Sequence, residues 1–447
     1  MGSGPAAHHS AVTRSTAAIR AGLLRGITRN VVALGIVSLL TDVSSELLIY
    51  LVPLYLANVL GASPSIIGLV EGIAESVAAV LKLASGAVSD RFGRRKPLVT
   101  AGYSTSVVAK ALYLAASTWP VVLLARVGDR IGKGIRTAPR DALIADSTPP
   151  ESRGRAFGLH RALDTAGAVV GVALAAIIVG SIQGDAGLLS ADAFRAAVVV
   201  ALVPGVLAVV VLVGFVRDVR PGPSAAPLVA PRPIAPEPVA AEQVGRDLRR
   251  AVRAFPAAFW LFVAAAGLFT LGNSSDAFIA LRSQNLGVTV RDLLWLVVAF
   301  NVADALVAWP MGALSDRVGR RGLIALAWGI YALAYVGFAA AGSAGPVPLL
   351  WILYGTYYGV IEAVGRALVA DLVRPQVRAT AYGIHAAVIG ILILPASVIA
   401  GLLWDGVGPA ALFWFGAGCA LAAVGLLVLV RPTPRDAGPG GERSVTA

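Results

Sequence analysis

The chain is poor in the residues that soluble domains use most. Only 14% of its 447 residues are charged and 57% are hydrophobic, whereas charged residues make up roughly 25% of an ordinary soluble domain. The mean hydropathy is +0.78, and long apolar runs recur along the whole sequence. This composition excludes a soluble globular domain and predicts an all-α protein that crosses a lipid bilayer many times.

Other chemistry is also missing. The single cysteine, Cys419, excludes an internal disulfide and a multi-cysteine metal site. The sequence has no nucleotide-binding Walker motif, no nucleophile–base signature and no metal-ligand spacing. It therefore predicts no enzymatic activity, no metal and no bound cofactor. The formal charge of +12 does not predict a nucleic-acid partner, because most arginines fall in short loops on one side of the membrane.

A spanning helix needs about 20 mostly apolar residues, and the sequence predicts twelve of them. Numbered 1 to 12 in chain order, the predicted helices lie near 32–57, 65–88, 97–116, 119–143, 157–180, 194–215, 256–281, 292–314, 322–342, 346–370, 379–402 and 408–430.

A stretch with seven prolines between Pro221 and Pro238 separates two sets of six helices. Because proline fixes the backbone and lacks an N–H donor, this stretch predicts an extended or disordered linker. The predicted organisation is a cytoplasmic tail over 1–30, a six-helix bundle over 31–215, a cytoplasmic linker over 216–253 that is first proline-rich and then basic, a second bundle over 254–430, and a cytoplasmic tail over 431–447.

Loop charge predicts the orientation. The termini, the linker and alternate loops are basic, whereas the loops at 58–64, 116–118 and 343–346 carry no charge. Arg282 and Arg291 are the basic exceptions on the other side. The distribution places both termini in the cytoplasm. With no compact signal peptide in the first thirty residues, it predicts a multi-pass protein of the inner (plasma) membrane, the alternative being an organellar transit peptide.

The second half of the sequence repeats the first. The ten residues Gly86–Arg95 reappear as Gly312–Arg321 at an offset of 226, with the same Gly, Ser-Asp-Arg, Gly and Arg-Arg positions. Three further matches keep nearly the same offset: Ala142–Asp146 with Ala367–Asp371, Ala156–His160 with Ala381–His385, and Ser44–Glu46 with Ser274–Asp276 after a one-turn gap. An offset of six helices predicts two halves related by an axis along the membrane normal.

The segment Gly86–Arg95 resembles the loop 2–3 signature of the major facilitator superfamily, GxxxDRxGRR, without a mismatch. The resemblance covers residues 31–430. It implies a central cavity lined by helices 1, 4, 7 and 10, and secondary transport by alternating access. Arg130–Ala138 is similar to the RxxxGxxxA element of drug–proton antiporters, whose arginine is linked to proton coupling. The glycines of helix 5 match the antiporter signature in part, but Val172 stands where that signature has proline, so antiport stays open.

The signature has a physical interpretation as a conformational latch. Asp90, at the inner end of helix 2, can accept from a helix N-terminus or an arginine, while Gly86 allows close helix contact and Gly93 a tight turn. The alternative is that the arginines only fix orientation. The candidate latch residues are Gly86, Asp90, Arg91, Gly93, Arg94, Arg95, Arg136, Arg140, Gly312, Asp316, Arg317, Gly319, Arg320 and Arg321.

Helix 4 carries a stripe of charge that hydrocarbon would not tolerate. Seven charged residues between Arg126 and Asp141 fall within an arc of about 140°, so this face must contact protein or water. Acids that could neutralise it lie one turn apart in helices 1 and 2. Equal depth in the membrane predicts a buried network of Asp42, Glu46, Glu75, Arg130 and Lys133. It is either a static brace or a relay in which an acid, first Asp42 or Glu46, carries protons.

Further candidates for the cavity are two predicted pairs, Arg161 with Asp164 and Glu362 with Arg366. Trp351, Tyr354, Tyr357 and Tyr358 form an aromatic cluster, which predicts packing before ligand stacking. The full set of cavity or proton-coupling candidates is Asp42, Glu46, Glu71, Glu75, Arg126, Arg130, Lys133, Arg161, Asp164, Asp276, Glu362 and Arg366.

These features predict a monomeric carrier that moves a small organic solute by alternating access. Proton-coupled export is the favoured mode, since no ATP site is present and the proton gradient must then supply the energy. The alternative is uptake or facilitated diffusion of a polar or anionic metabolite. A membrane enzyme or receptor is disfavoured. The predicted partners are a small-molecule substrate and the lipid bilayer, with no nucleic acid.

Overall fold

The structure is a computed structural model that describes residues 26–92, 94–219, 255–374 and 377–430. Within the helices, the side chains at positions 83, 87, 92, 309, 312, 313, 316, 317, 362, 363, 366 and 379 are not described. Several predicted features therefore lie outside the described residues: most of the two tails, the linker from 220 onward, Gly93, and the side chains of Gly312, Asp316, Arg317, Glu362 and Arg366.

The described residues form twelve long helical segments, two of them broken into parts. The first half contains α1a (Arg29–Ile49), α1b (Leu51–Asn58), α2 (Pro64–Phe92), α3 (Lys96–Leu112), α4 (Trp119–Asp146), α5 (Arg153–Gln183) and α6 (Ala191–Phe215). The second half contains α7a (Ala257–Gly272), α7b (Ala277–Asn285), α8 (Val290–Val318), α9 (Arg320–Ala340), α10 (Val347–Leu372), α11 (Arg378–Gly406) and α12 (Pro409–Leu429).

Seven of these segments are long and apolar enough to cross a membrane by length and composition alone: α1, α5, α6, α7, α9, α11 and α12. Among the other five, α4 carries the charged stripe, four of whose seven charged residues are buried in the protein. On the outer face of α6, Val203 and Val210 are more than half exposed, as expected of residues that contact lipid. The segment count agrees with the predicted twelve.

Breaks in α1 and α7 were not predicted. Helix 1 was expected to be continuous over 32–57, but it breaks at Tyr50. Helix 7 was expected to be continuous over 256–281, but residues 273–276 leave the helix. The two breaks are equivalent, because Tyr50 and Asp276 differ by 226, the offset of the repeat. The freed backbone of α7 lies beside a cavity, which is where irregular backbone is tolerated at membrane depth.

The two halves contact each other through α2 against α11 and α5 against α8. Glycine makes the first contact close: a Cβ on Gly68 would lie 2.2 Å from the carbonyl oxygen of Ser397, and one on Gly401 would lie 2.6 Å from Cα of Ser65. Such small residues let helix backbones approach in a membrane, where packing drives association.

We call the end of the molecule that holds Arg29 and Val430 the terminal end, and the other the opposite end. At the opposite end several polar links join the halves. The backbone N–H of Ser65 donates to Asp405 at 3.0 Å, and its hydroxyl donates to the same carboxylate. Arg291 pairs with Asp185 at 2.8 Å. The amides of Asn58 and Gln284 donate to each other at 3.3 and 3.1 Å.

Asn58 and Gln284 are also 226 residues apart, so equivalent positions of the two halves meet on the axis that relates them. Toward the terminal end the halves separate. The nearest neighbour of a Cβ on Gly86 of α2 is Ala138 of its own half, and Gly383 of α11 has nothing within 4 Å. A cleft between the halves therefore opens at the terminal end and is closed at the opposite end.

Candidate functional site

A cavity of about 260 Å³ lies between the two halves, beyond the inner end of the cleft. Its lining comes from α1, α4, α7 and α10, the four helices that were expected, and also from α2 and α11. The polar lining residues that matter for chemistry are Tyr50, Glu71, Glu75, Arg126, Asp276 and Tyr358.

The charged stripe of α4 faces its own bundle, as membrane insertion requires. Arg126 donates to Glu71 of α2 at 2.7 Å, and the two side chains are 5% and 3% exposed. One turn further, Nε of Arg130 lies 3.1 Å from Oε1 of Glu75. The i,i+4 spacing of both partners sets two parallel ion pairs between α2 and α4.

A third buried ion pair was missed by the sequence analysis. Lys110 of α3 is 2% exposed, and its ammonium donates to the hydroxyls of Ser44 at 2.9 Å and Ser45 at 2.8 Å. Asp129 of α4 lies 3.9 Å away. The lone lysine in an apolar helix was the available signal, because a buried ammonium requires partners.

Arg136 and Arg140 were predicted to belong to the latch; in this arrangement their described contacts lie within their own half, and the latch role stays a prediction. Arg136 is buried, donates to Ser106 at 2.7 Å and stacks over the ring of Tyr103 at 4.6 Å. Arg140 pairs with Asp141 at 2.9 Å and donates to Ser38 at 3.1 Å. Both guanidinium groups therefore hold α4 inside its own bundle, where a hydroxyl or aromatic partner reduces the cost of burial.

Only part of the predicted five-residue network forms direct contacts. Glu75 and Arg130 are paired, but no hydrogen bond or ion pair reaches the side chains of Asp42, Glu46 or Lys133 from the described part of the chain. Asp42 and Glu46 are half-buried and Lys133 is exposed to the cleft. The prediction used depth alone, whereas α2 packs against α4 far more extensively than α1 does.

Asp164 was expected to pair with Arg161, but its partner in the structure is His160, whose Nδ1 lies 3.4 Å from the carboxylate. Arg161 lies on the exposed face of α5 in the cleft. Asp164 is close enough to Asp42 of α1 for their charges to interact. A Cβ on Gly167 would lie 3.0 Å from Cβ of Asp42, so the absence of a side chain there lets α1 and α5 approach.

The second half contributes a single described carboxylate to the cavity. Asp276 lies at the end of the break in α7, and its Oδ1 accepts from the hydroxyl of Tyr354 at 2.6 Å while Oδ2 accepts from Tyr358 at 3.3 Å. The aromatic cluster is chiefly core: Trp351, Tyr354 and Tyr357 are at most 3% exposed. Of the four, only Tyr358 lines the cavity.

The two copies of the signature make similar contacts at the terminal end, although the residues that make them are shifted by one position between the copies. Arg95 pairs with Asp146 at the end of α4 at 2.8 Å, and Arg320 pairs with Asp371 near the end of α10 at 2.7 Å. The next residues cap the last helix of each half. Lys96 donates to Val213 of α6 at 2.9 Å, and Arg321 donates to the last carbonyls of α12. Asp146 and Asp371 were seen in the sequence only as part of the repeat.

The contacts shown for Asp90, Arg95, Arg320 and Arg321 lie within their own half in this open-cleft arrangement. Asp90 is 75% exposed and lies 3.9 Å from Arg95 of its own loop. Arg91 and Arg94 are exposed. Gly86 packs near α4, and Gly319 adopts φ +91° where α9 begins, a conformation that glycine adopts readily.

The basic exceptions at the opposite end have structural partners. Besides the pair of Arg291 with Asp185, Arg282 donates to the carbonyls of Phe338 and Ala341 and so caps the C-terminus of α9. Within the described ranges, no three His, Cys, Asp or Glu side chains are grouped as a metal site.

Comparison with known proteins agrees with this architecture. The family model of the major facilitator superfamily matches residues 34–282 and 272–447. An uncharacterized MFS-type transporter of Methanocaldococcus jannaschii is 33% identical over 411 residues, which is 91% of this chain and 95% of that one. The multidrug resistance protein MdtH of Photorhabdus laumondii is 34% identical over 122 residues, 27% of this chain and 30% of its own length.

Among solved structures, the nucleoside transporter NupG superposes with a TM-score of 0.70 at 14% identity, covering 90% of this chain and 99% of that chain. At this identity the likeness concerns the fold. Together with the family match over both halves, it identifies the class of the molecule. The chain is a membrane transport protein of the major facilitator superfamily, and not an enzyme.

Proposed function

We propose that the protein is a secondary active transporter that exports a small organic solute in exchange for protons. The terminal end faces the cytoplasm of a bacterial-type plasma membrane, so the described arrangement is open to the inside. The protein works as a monomer, and its energy comes from the proton gradient rather than from a bound cofactor.

The observation that carries the proposal is the cavity between the halves, which is closed at one end and open at the other. Several polar links and close helix packing seal the opposite end, while the cleft leads from the cavity to the terminal end. Rocking of the halves about this site would exchange the open and closed ends, which is the motion that alternating access requires.

The charged groups divide into a brace and a proton site. The buried pair of Arg126 with Glu71 and the partly exposed pair of Arg130 with Glu75 are each neutral and brace α2 against α4. Asp42 and Glu46 lack an ion-pair partner in the described residues and lie on the helix face of α1 that continues to Tyr50 in the cavity. These two carboxylates are therefore placed to take protons from the cavity and release them into the cleft.

Export is the direction favoured by the short match to a multidrug resistance protein and by the similarity of Arg130–Ala138 to the antiporter element. Uptake of a polar metabolite down its own gradient is the second candidate. It would need no proton site, so the two unpaired carboxylates favour coupled export.

The test is transport in proteoliposomes with an imposed pH gradient and a panel of radiolabelled compounds. The wild-type protein is expected to accumulate its substrate against a concentration gradient only when the proton gradient is present. Asp42→Asn and Glu46→Gln should abolish this accumulation but keep substrate counterflow, which needs no proton movement. Asp192→Asn, at an exposed site at the start of α6, is the matched control and should behave as wild type.

Gradient-driven accumulation that survives in both variants would rule out these carboxylates as the proton site. If the wild-type protein only equilibrates the substrate across the membrane, with or without a pH gradient, the result would instead favour facilitated diffusion.

A further inference from the structure

The polar part of the lining of the central cavity includes four side chains with strong hydrogen-bond acceptors. Glu71 and Glu75 come from α2, and Asn273 and Asp276 come from the break in α7. Arg126 is the single described cation on the lining, and it is already bonded to Glu71 at 2.7 Å. Glu75 is paired with Arg130, which lies outside the lining, so Asp276 is the one lining carboxylate without a described cation partner and leaves the site with a net negative charge.

Two of these acceptors are buried without a donor. Glu71 is 3% exposed, and its Oε1 has no hydrogen-bond partner among the described residues. Oδ1 of Asn273 is in the same state, although its amide nitrogen donates to Tyr357 at 3.4 Å. The other unmatched lining atoms are Nε of Arg126, within the neutralised pair, and the hydroxyl of Ser274, which can donate or accept.

A buried acceptor that lacks a donor is destabilising, and native proteins satisfy nearly all such groups. The unmatched acceptors therefore call for an occupant that donates several hydrogen bonds. An anion or an ether cannot do so, whereas a protonated amine carries two or three N–H donors and also a positive charge.

Asp276 adds the charge that an ammonium group needs. Its carboxylate is oriented by the hydroxyls of Tyr354 at 2.6 Å and Tyr358 at 3.3 Å, and no cation of the described residues lies within ion-pair distance of it. The rings of Tyr50 and Tyr358 line the same cavity, and an aromatic face attracts a cation.

We propose that the cavity binds a small protonated amine, whose ammonium group is held by Asp276, the amide oxygen of Asn273 and the free oxygen of Glu71. This proposal rests on the proposed transport function, because the amine is then the cargo. The volume of about 260 Å³ lies just below the usual range of ligand pockets, about 300–1,000 Å³, which indicates a compact amine rather than a bulky drug.

Direct binding to the purified full-length protein in lipid nanodiscs tests the proposal by isothermal titration calorimetry. The probes are primary ammonium ions from ethylammonium to phenethylammonium, each compared with the neutral alcohol of the same shape, and phenyltrimethylammonium as a cation without N–H donors. At least one primary ammonium ion should bind at least about tenfold more tightly than its alcohol. Phenyltrimethylammonium should bind more weakly than phenethylammonium.

Variants assign the site. Asp276→Asn should weaken ammonium binding at least about tenfold, and Asn273→Ala should weaken it severalfold while leaving the carboxylate in place. Asp192→Asn, far from the cavity, is the matched control. If Asp276→Asn does not fold, Asn273→Ala still tests the site.

The proposal is overturned if no primary ammonium ion binds at 10 mM, a concentration that would detect a binding free energy as weak as roughly 3 kcal/mol. It is also overturned if the neutral alcohols bind as tightly as the ammonium ions. A third refuting result is that Asn273→Ala and every folded variant of Asp276 bind ammonium ions like the wild type. Binding without transport in proteoliposomes would instead refute the proposed function and leave the amine site standing. Proton-driven transport of a neutral compound, without amine binding, would refute the amine site and leave the proposed transport function standing.

Discussion

Replacing Glu71 by glutamine would leave the guanidinium of Arg126 buried without a counter-charge. The two groups are 2.7 Å apart, and neither side chain is more than 5% exposed, so little water reaches the guanidinium to replace the missing carboxylate. Removing one partner of such a pair costs about 3–5 kcal/mol, whereas removing both can be nearly neutral. We therefore expect Glu71→Gln and Arg126→Met each to destabilise the protein by about 3 kcal/mol or more.

The double variant Glu71→Gln with Arg126→Met is expected to recover most of that loss and to cost only about 1 kcal/mol, so the coupling free energy of the pair is about 5 kcal/mol. Reversible unfolding in mixed micelles with increasing SDS measures all four proteins. The exposed pair of Asp192 and Arg195, 3.9 Å apart and 87% and 62% exposed, is the matched control cycle. It should show a coupling below about 1 kcal/mol.

A Glu71→Gln variant that loses less than about 1 kcal/mol, or a double variant that is no more stable than the singles, would refute the assignment of this pair as a brace. Transport adds a second comparison. A brace predicts that the double variant keeps the dependence on the proton gradient, since Asp42 and Glu46 are untouched. Loss of coupling in a stable double variant would place the proton path on α2 and α4 instead.

Two further outcomes are expected. Asp405→Asn removes the carboxylate that caps the start of α2 from the other half, so amide hydrogen exchange at the start of α2 should become about tenfold faster. Exchange as slow as in the wild type would show that this link does not hold the opposite end shut. Lys110→Met leaves Asp129 buried without its cation and should lower the free energy of unfolding by about 3 kcal/mol in the same SDS assay. Adding Asp129→Asn should restore most of that stability, and a Lys110→Met variant as stable as the wild type would contradict this.

Much of the fold follows from hydropathy, because twelve apolar or half-apolar stretches and a repeat at one offset leave few other arrangements. The break in α7 did not follow. Asn273, Ser274 and Ser275 lie within a run that is apolar on average, and hydropathy cannot tell a polar helix turn from backbone that leaves the helix. The polar run itself was the only local signal.

The charge network shows where depth fails as a guide. Counting residues from the membrane surface placed Glu46 and Glu75 at the level of Arg130, and only Glu75 is in contact with it. Depth gives the position of a residue along the membrane normal, whereas its neighbours at that depth depend on which helices pack together. In this structure α4 packs on α2 and α3. For the same reason Lys110 was not connected with Asp129, since nothing in the sequence showed that α3 faces this side of α4.

The paired amides of Asn58 and Gln284 are consistent with an origin of the chain by duplication of a six-helix unit. A carboxamide is one of the few side-chain groups that can bind an identical group, because it donates and accepts at once. In two separate copies of a six-helix ancestor, the residue at this position would have met its own counterpart across a true twofold axis. In the present chain the two sides differ from each other by one methylene, and the carboxamides of Asn58 and Gln284 still exchange both hydrogen bonds.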